Sequence, residues 1–386
     1  MTQALSLIKE KLTASAAYDK YVLWIVLGLA AVGTVAVYSA ITYLAETKAG
    51  GDPEFFLWRH LLRVGIAFGA MGLVSLIDYR TLARYSKVAL LGALGLLLAV
   101  QVVGVAVGGA ERWIRIGSFG FQPSDLAKVA LVLYLGVLLA KKQSYIKSFG
   151  RAFLPIMLWI LATVVLIGLD DLSTAAVVLT AALLMCFVGR VSFLQLVGLG
   201  LVGALLGGML LMDSPHRAAR VEAYLGIDLF EHTDERVFDR QAEGYQAHQA
   251  RIAIAMGGLT GVGPGKSVQR DFLPAPYNDF IFAIIAEEYG IVLGALGLLA
   301  LFCALLFRGF LRIARHAPDP LGLFLGVGFT TMIVLYGFIH AGVASGLLPV
   351  TGLPMPLVSY GGTSMVTTGI MVGVLLNISR QSNPKS

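Results

Sequence analysis

Apolar residues fall along this chain in long blocks, with no strict two-residue alternation of a surface strand. Runs of about twenty apolar residues recur between short polar segments, and a run of that length crosses a bilayer as a helix. Read this way, the chain carries ten membrane-spanning helices near 21–44, 58–77, 87–107, 124–140, 152–169, 173–189, 193–212, 278–307, 321–342 and 362–379. The fifth and sixth are parted by little more than Asp170, Asp171 and Leu172, which makes them a tight hairpin. Residues 1–20 are polar and read as a short amphipathic lead-in through Leu5, Ile8 and Leu12. The first apolar run is full length and lacks a cleavage-type end, so no cleavable signal is expected. Residues 213–277 form the one long polar segment, and its first half has helix-like runs suited to a membrane surface. No repeat or low-complexity linker divides the chain. The expectation is a single domain, 1–386: an all-α integral membrane protein with ten transmembrane helices and a large extracytoplasmic loop between helices seven and eight.

Composition agrees. Of the 386 residues, 57% are hydrophobic and 13% charged, against about 25% charged in soluble domains. The net charge of +6 would suit a nucleic-acid partner if the cations formed one patch, but they sit in short loops between spans. Sixteen Lys and Arg fall on the side of the termini, and the short loops opposite hold only Lys48, Arg112 and Arg115. That asymmetry predicts cytoplasmic termini and puts residues 213–277 outside. Cys186 and Cys303 lie inside apolar runs and read as small buried hydrophobes.

The candidate chemistry gathers at the outer face. The stretch 257–290, GGLTGVGPGKSVQRDFLPAPYNDFIFAIIAEEYG, starts as a glycine-rich loop and ends as an apolar helix carrying Asp279, Glu287 and Glu288. Carboxylates entering a span are costly to desolvate and are usually partnered or functional. Asp279 should occupy the first turn of helix eight, where it either answers the helix dipole or acts as a general base on a substrate hydroxyl. Glu287 and Glu288 lie deeper, and at least one is expected to be paired in a structural role. Gln122-Pro123-Ser124-Asp125 opens helix four, where Ser124 or Asp125 can cap, and Asp125 and Lys128 share a face. Arg112 and Arg115 flank Trp113 in an outer loop, a placement explained by an anionic ligand or by headgroups.

The segment Gly261-Val262-Gly263-Pro264-Gly265-Lys266-Ser267 lacks the leading glycine of a nucleotide-binding loop, since Thr260 stands there, and no strand precedes it. ATP and GTP are excluded. The loop and Lys266 either present amides to a pyrophosphate or form a plain turn. His340 reads as a packed core histidine. The last outer loop, 347–364, has three prolines and three glycines and is a candidate wall of a polar cavity.

RWIRIGSFGFQPSDLAK, DDLSTA, the 244–290 stretch and LPVTGLPMPLVSYGGTS together resemble the SEDS family, the FtsW/RodA group of cell-wall polymerases, over nearly the whole chain. GPGKSVQ is closer to the FtsW type of loop than to the RodA type. The resemblance implies an inverting peptidoglycan glycosyltransferase that polymerises lipid II, working in the bacterial inner membrane with its site on the outer face. It implies a class B penicillin-binding transpeptidase as partner, among other divisome or elongasome membrane proteins. By position, Asp279 matches the family's essential aspartate, the base or the ligand of a divalent cation (Mg or Mn). Asp125 and Lys128 match the polar pair heading helix four, although the family usually has Glu at the first. Arg112 matches the cation beside the loop tryptophan; Arg112, Arg115, Lys128 and Lys266 are the expected neutralisers of the leaving group's charge. Two readings of other classes stand beside it: a lipid II flippase and a non-catalytic division scaffold. The absence of repeated halves and the outward clustering of polar groups favour the enzyme.

Overall fold

The computed structural model describes residues 18–48, 52–103, 105–107, 110–116, 119–226 and 234–382, so most of the expected amphipathic lead-in lies outside the described residues. The chain is a bundle of helices: α1 (Lys20–Lys48), α2 (Pro53–Leu76), α3 (Tyr79–Val103), α4 (Pro123–Lys142), α5 (Leu154–Asp170), α6 (Leu172–Val188), α7 (Phe193–Met212), α8 (Pro215–Leu225), α9 (Asp234–Gly257), α10 (Ile281–Tyr289), α11 (Gly297–Phe307), α12 (Pro320–Ala344) and α13 (Thr363–Gln381). Eight segments among the described residues are long and apolar enough to cross a membrane, with α10 and α11 forming one of them, Ile281–Ala314. The apolar α6 is shorter. Helix starts follow local chemistry. Asp52 accepts from the Glu54 and Phe55 amides ahead of Pro53 in α2, and Asp171 accepts from Thr174 N, making the α5–α6 hairpin a one-residue turn.

Three expectations need correction. The third helix starts at Tyr79, not near 87, because its first nine residues carry Arg80, Arg84 and Lys87 and do not register as apolar. It also ends at Val103, short of 107. The fold is not purely α. Residues beyond α3 form a small antiparallel sheet, β1 (Val105–Val107), β2 (Ala110–Ile116) and β3 (Phe119–Phe121), in the order β1-β2-β3. The strand β2 is Ala-Glu-Arg-Trp-Ile-Arg-Ile, which carries no clean two-residue alternation and so does not stand out among helical runs. Finally, the eighth helix begins at Ile281 rather than 278 and is interrupted at Gly290, where φ is +76°.

Packing puts α4 and α12 at the centre: both are mostly enclosed by protein, whereas α2 and α7 face largely outward. Gly369 and Gly373 of α13 bring that helix against the backbone of α2 at Ala67 and Met71, an approach that a side chain would block. At the end of the bundle that carries the N-terminal residues of α1, Arg80 bridges to Asp319 (2.7 Å) and Arg308 to Asp19 (2.6 Å). Asp319 caps α12 through Gly322 N (2.8 Å).

Candidate active site

At the other end of the bundle, the segment before α10 turns on itself, with the amides of Asn278 and Asp279 both donating to the Ala275 carbonyl (3.2 and 3.1 Å). Pro274 and Pro276 hold their preceding residues away from helical geometry, and Phe280 is non-helical, with φ −128° and ψ 19°. Asp279 therefore sits in a turn ahead of the helix, half-buried, and not inside its first turn. The last long loop is bonded to this turn. Tyr360 N donates to the Tyr277 carbonyl (2.9 Å), and Ser359 Oγ donates to the Asn278 carbonyl (2.8 Å) while accepting from Met355 N (2.8 Å). The Tyr277 and Tyr360 rings meet edge to face, His60 stacks on Tyr360, and the Arg63 guanidinium lies 4.5 Å from the Tyr360 ring centre. Burial pushes the Tyr277 phenol up, and the Asp279 charge and Tyr360 add to it.

Asp125 and Lys128 are both buried and paired at 2.6 Å. The helix is capped by neither Ser124 nor Asp125: Gln122 stands at the cap without a side-chain bond, and Asp125 instead accepts from Thr363 Oγ1 (2.6 Å). Lys128 continues the chain of contacts to Tyr336 Oη (3.4 Å), which reaches Thr174 Oγ1 (3.4 Å), itself bonded to Asp171. Its ammonium also lies 4.5 Å from the Tyr336 ring centre. A cavity of about 10 Å³, room for roughly one water, is lined by Lys128, Tyr336, Met355, Ser359 and Ser364 among others. Ser359 thus stands between the Asp279 turn and the Lys128 pair. The last loop is a wall of this space, and His340 is buried with Nδ1 against the Leu353 carbonyl (2.8 Å), which pins the loop.

The glycine-rich loop is a clasp, not an open cradle. The amides of Val262 and Gly263 donate to the carbonyls of Glu287 and Glu288 (2.9 and 3.0 Å). Ile291 N donates back to the Gly258 carbonyl (2.9 Å). Gly261, at φ +84°, is required because a Cβ there would run into the Glu288 carbonyl. The Glu287 carboxylate takes Ser267 Oγ (2.5 Å), Val268 N (2.9 Å) and Gln269 N (3.3 Å), and Glu288 takes Ser39 Oγ of α1. Both glutamates are partnered, as their depth demands. Lys266 is exposed on this clasp, its stem over Gly263, at the level of residues more than one turn into α10.

Of the six site residues named from sequence, the structure joins Asp125 to Lys128 and brings the Asp279 turn to the same cavity wall through Ser359. Arg112 and Arg115 lie on β2, but their side chains are outside the described residues. Tyr336, His60 and Arg63 escaped the sequence reading as site residues, and Tyr360 and Thr363 entered it only as part of the 347–364 wall. Each is a single polar or aromatic residue within or beside an apolar run, so spacing gave no signal. Among the described residues no three His, Cys, Asp or Glu side chains gather to hold a metal.

The comparisons with known proteins follow this geometry. A family model described as "Cell cycle protein", covering FtsW, RodA and SpoVE, matches residues 20–384. Stage V sporulation protein E of Bacillus subtilis is 39% identical over 370 residues, covering 94% of this chain and 97% of that protein. "Probable peptidoglycan glycosyltransferase FtsW" of Geobacter sulfurreducens is 38% identical over 367 residues, covering 94% of this chain and 95% of the other. The solved structure described as "Structural coordination of polymerization and crosslinking by a peptidoglycan synthase complex" superposes with a TM-score of 0.75 at 29% identity, covering 95% of this chain and 99% of that one. Thermus thermophilus RodA gives 0.68 at 28% identity, over 95% and 98% of the two chains.

Proposed function

This chain belongs to the FtsW, RodA and SpoVE family, and from that premise we propose that it is a peptidoglycan glycosyltransferase of the FtsW type that polymerises lipid II. The observation that carries the site assignment is the half-buried Asp279, held in a turn that the last loop bonds to the wall of the Lys128 cavity. Asp279 accepts the proton of the GlcNAc 4-hydroxyl as that oxygen attacks the MurNAc anomeric carbon of the growing strand. The bond from that carbon to phosphate breaks, undecaprenyl pyrophosphate leaves with the electron pair, and the α-linkage becomes β-1,4. The pyrophosphate is already a good leaving group, so stabilising its charge is the main task of the protein. Arg112, Arg115 and Lys266 are the cations for this. Lys128 is already balanced by Asp125, which suits it to orienting substrate oxygens more than to meeting a whole extra charge.

A divalent cation fits only as a shared ion. Asp279 offers one carboxylate, and Mg or Mn bound by one or two carboxylates commonly takes its remaining ligands from substrate phosphates and water. Such an ion would supply charge neutralisation at the pyrophosphate. In this reading the whole chain is one domain and crosses the bacterial inner membrane ten times, the eight long apolar segments being joined by α6 and α13. The charge asymmetry supports cytoplasmic termini and an outer-face site. The similarity to a subunit of a synthase that couples polymerisation to crosslinking supports a class B penicillin-binding transpeptidase as partner, beside other division or elongation proteins. The test is polymerisation of lipid II by the purified complex. Asp279→Asn should fold and lose about 10²–10⁴-fold in rate, the share of a general base; an unchanged rate refutes the assignment.

A further inference from the structure

His60, Arg63, Ala67 and Met71 recur at helical spacing and form one face of α2. Ala67 and Met71 take Gly369 and Gly373 of α13. His60 and Arg63, nearer the head of α2, meet the chain just before α13 begins. The His60 ring stacks on Tyr360, with centroids 5.7 Å apart and planes at 20°, and the Arg63 guanidinium lies 4.5 Å from the centre of the same ring. The Tyr277 ring meets it edge to face, so three side chains hold one phenol ring. A charge inside a span is costly and marks a role. Among the described residues Arg63 forms no ion pair, and its contact is this ring. Tyr360 is also where two parts of the site are tied together. Tyr360 N and Ser359 Oγ hold the Tyr277 and Asn278 carbonyls of the Asp279 turn, while Thr363 Oγ1 holds Asp125 of the Lys128 pair. Only Gly361 and Gly362 lie between Tyr360 and Thr363, and neither has a side chain to fix that link. The separation of turn and pair then depends on where the Tyr360 ring is anchored, and α2 carries the anchor.

We propose that Arg63, together with His60, is a positioning residue for glycosyl transfer, setting the distance between Asp279 and the Asp125–Lys128 pair through Tyr360. The proposal rests on the glycosyltransferase reading for the identity of the reaction. In this role neither α2 side chain meets the substrate. A displacement of about 1 Å in a group that must reach a hydroxyl can cost up to about 10²-fold in rate, so the effect falls on the chemical step and not on binding.

The test uses the full chain with its transpeptidase partner in detergent, and reads lipid II polymerisation, amide hydrogen exchange and a thermal melt. Arg63→Leu should lower kcat about tenfold with KM held to within about twofold, a loss inside the worth of a desolvated cation–π contact. It should also quicken exchange at 275–280 and 357–362 while leaving 281–289 as in the parent. Arg63→Lys keeps a cation for the ring and should recover most of the rate. His60→Ala removes the stack and should give the same split of kcat from KM; it carries the test if Arg63→Leu does not fold. An unchanged kcat overturns the proposal, as does a fall in kcat with unchanged exchange at 275–280, or an equal loss in Arg63→Lys. A raised KM with kcat unchanged means that the guanidinium binds a substrate phosphate directly, and also overturns it. If the wild type makes no glycan, yet exchange at 275–280 quickens in Arg63→Leu and recovers in Arg63→Lys, the anchor stands and the polymerase reading falls.

Discussion

The Asp125–Lys128 pair allows a sharp separation of structure from chemistry. Both side chains are nearly sealed from solvent, at 6% and 4% exposure, and meet at 2.6 Å. Removing one member of a buried pair leaves the other charge uncompensated, at a cost of about 3–5 kcal/mol, whereas replacing both with neutral groups of like size is often neutral or stabilising. Lys128→Met alone leaves the Asp125 carboxylate with Thr363 as its remaining described partner; Asp125→Asn alone leaves an ammonium facing Tyr336. Each single variant should lower the melting temperature of the purified protein by roughly 6–10 °C, taking about 2 °C per kcal/mol. The double variant should return to within about 1 kcal/mol of the parent, a coupling energy of several kcal/mol where independent sites add to within about 0.5. Lipid II polymerisation is then measured on the refolded-equivalent double variant. If the pair orients substrate, stability returns and activity does not. Additive melting shifts refute the buried-pair argument, and full activity in the double variant refutes the functional one.

Other consequences are as concrete. Glu287→Ala strips three donors of their acceptor in a buried site and should destabilise the protein by about 3 kcal/mol or more, with proteolysis newly admitted at 258–270. His60 is fully buried, and among the described residues neither ring nitrogen has a hydrogen-bond partner. His60→Phe keeps the stack on Tyr360 and should raise stability by about 1–3 kcal/mol in a thermal melt; a loss would show that the imidazole is satisfied. Asp319 is buried enough to raise its carboxyl, but Gly322 N, the Tyr79 hydroxyl and Arg80 outweigh burial and hold it below the usual carboxylate range. A depressed folded-state value contributes stability above the ordinary value of about 4 and loses it as pH falls through the folded one. Asp319→Asn should therefore flatten the acid side of the stability profile and leave neutral pH dependence alone.

Eight of the ten expected spans were legible because a bilayer imposes one crude demand, a long apolar run, which those eight meet; α6 is short and α13 is not among the eight. What failed were features decided by local backbone. The sheet at 105–121 is built from strands of three to seven residues, too short to carry a period of their own. The turn holding Asp279 depends on two prolines and on a loop more than seventy residues later, and only the tertiary fold brings Ser359 and Tyr360 there. The Asp125–Lys128 face could be read from an i,i+3 spacing, but not the choice of Thr363 over a helix cap. The glycine-rich loop was the most misleading segment. Its composition suits either a ligand or a turn, and its amides are spent on Glu287 and Glu288 backbone oxygens that no spacing rule pairs with it.

That clasp locks the long segment before it to the bundle. α9 runs into it at Gly257, where a Cβ would strike the Ala286 carbonyl, and the carbonyls the clasp holds belong to the last turn of α10, whose other end begins two residues after Asp279. One helix of nine residues therefore carries the acid's turn at its head and the loop's anchor at its foot, so a partner gripping α9 would bear on Asp279 through a single short length of backbone.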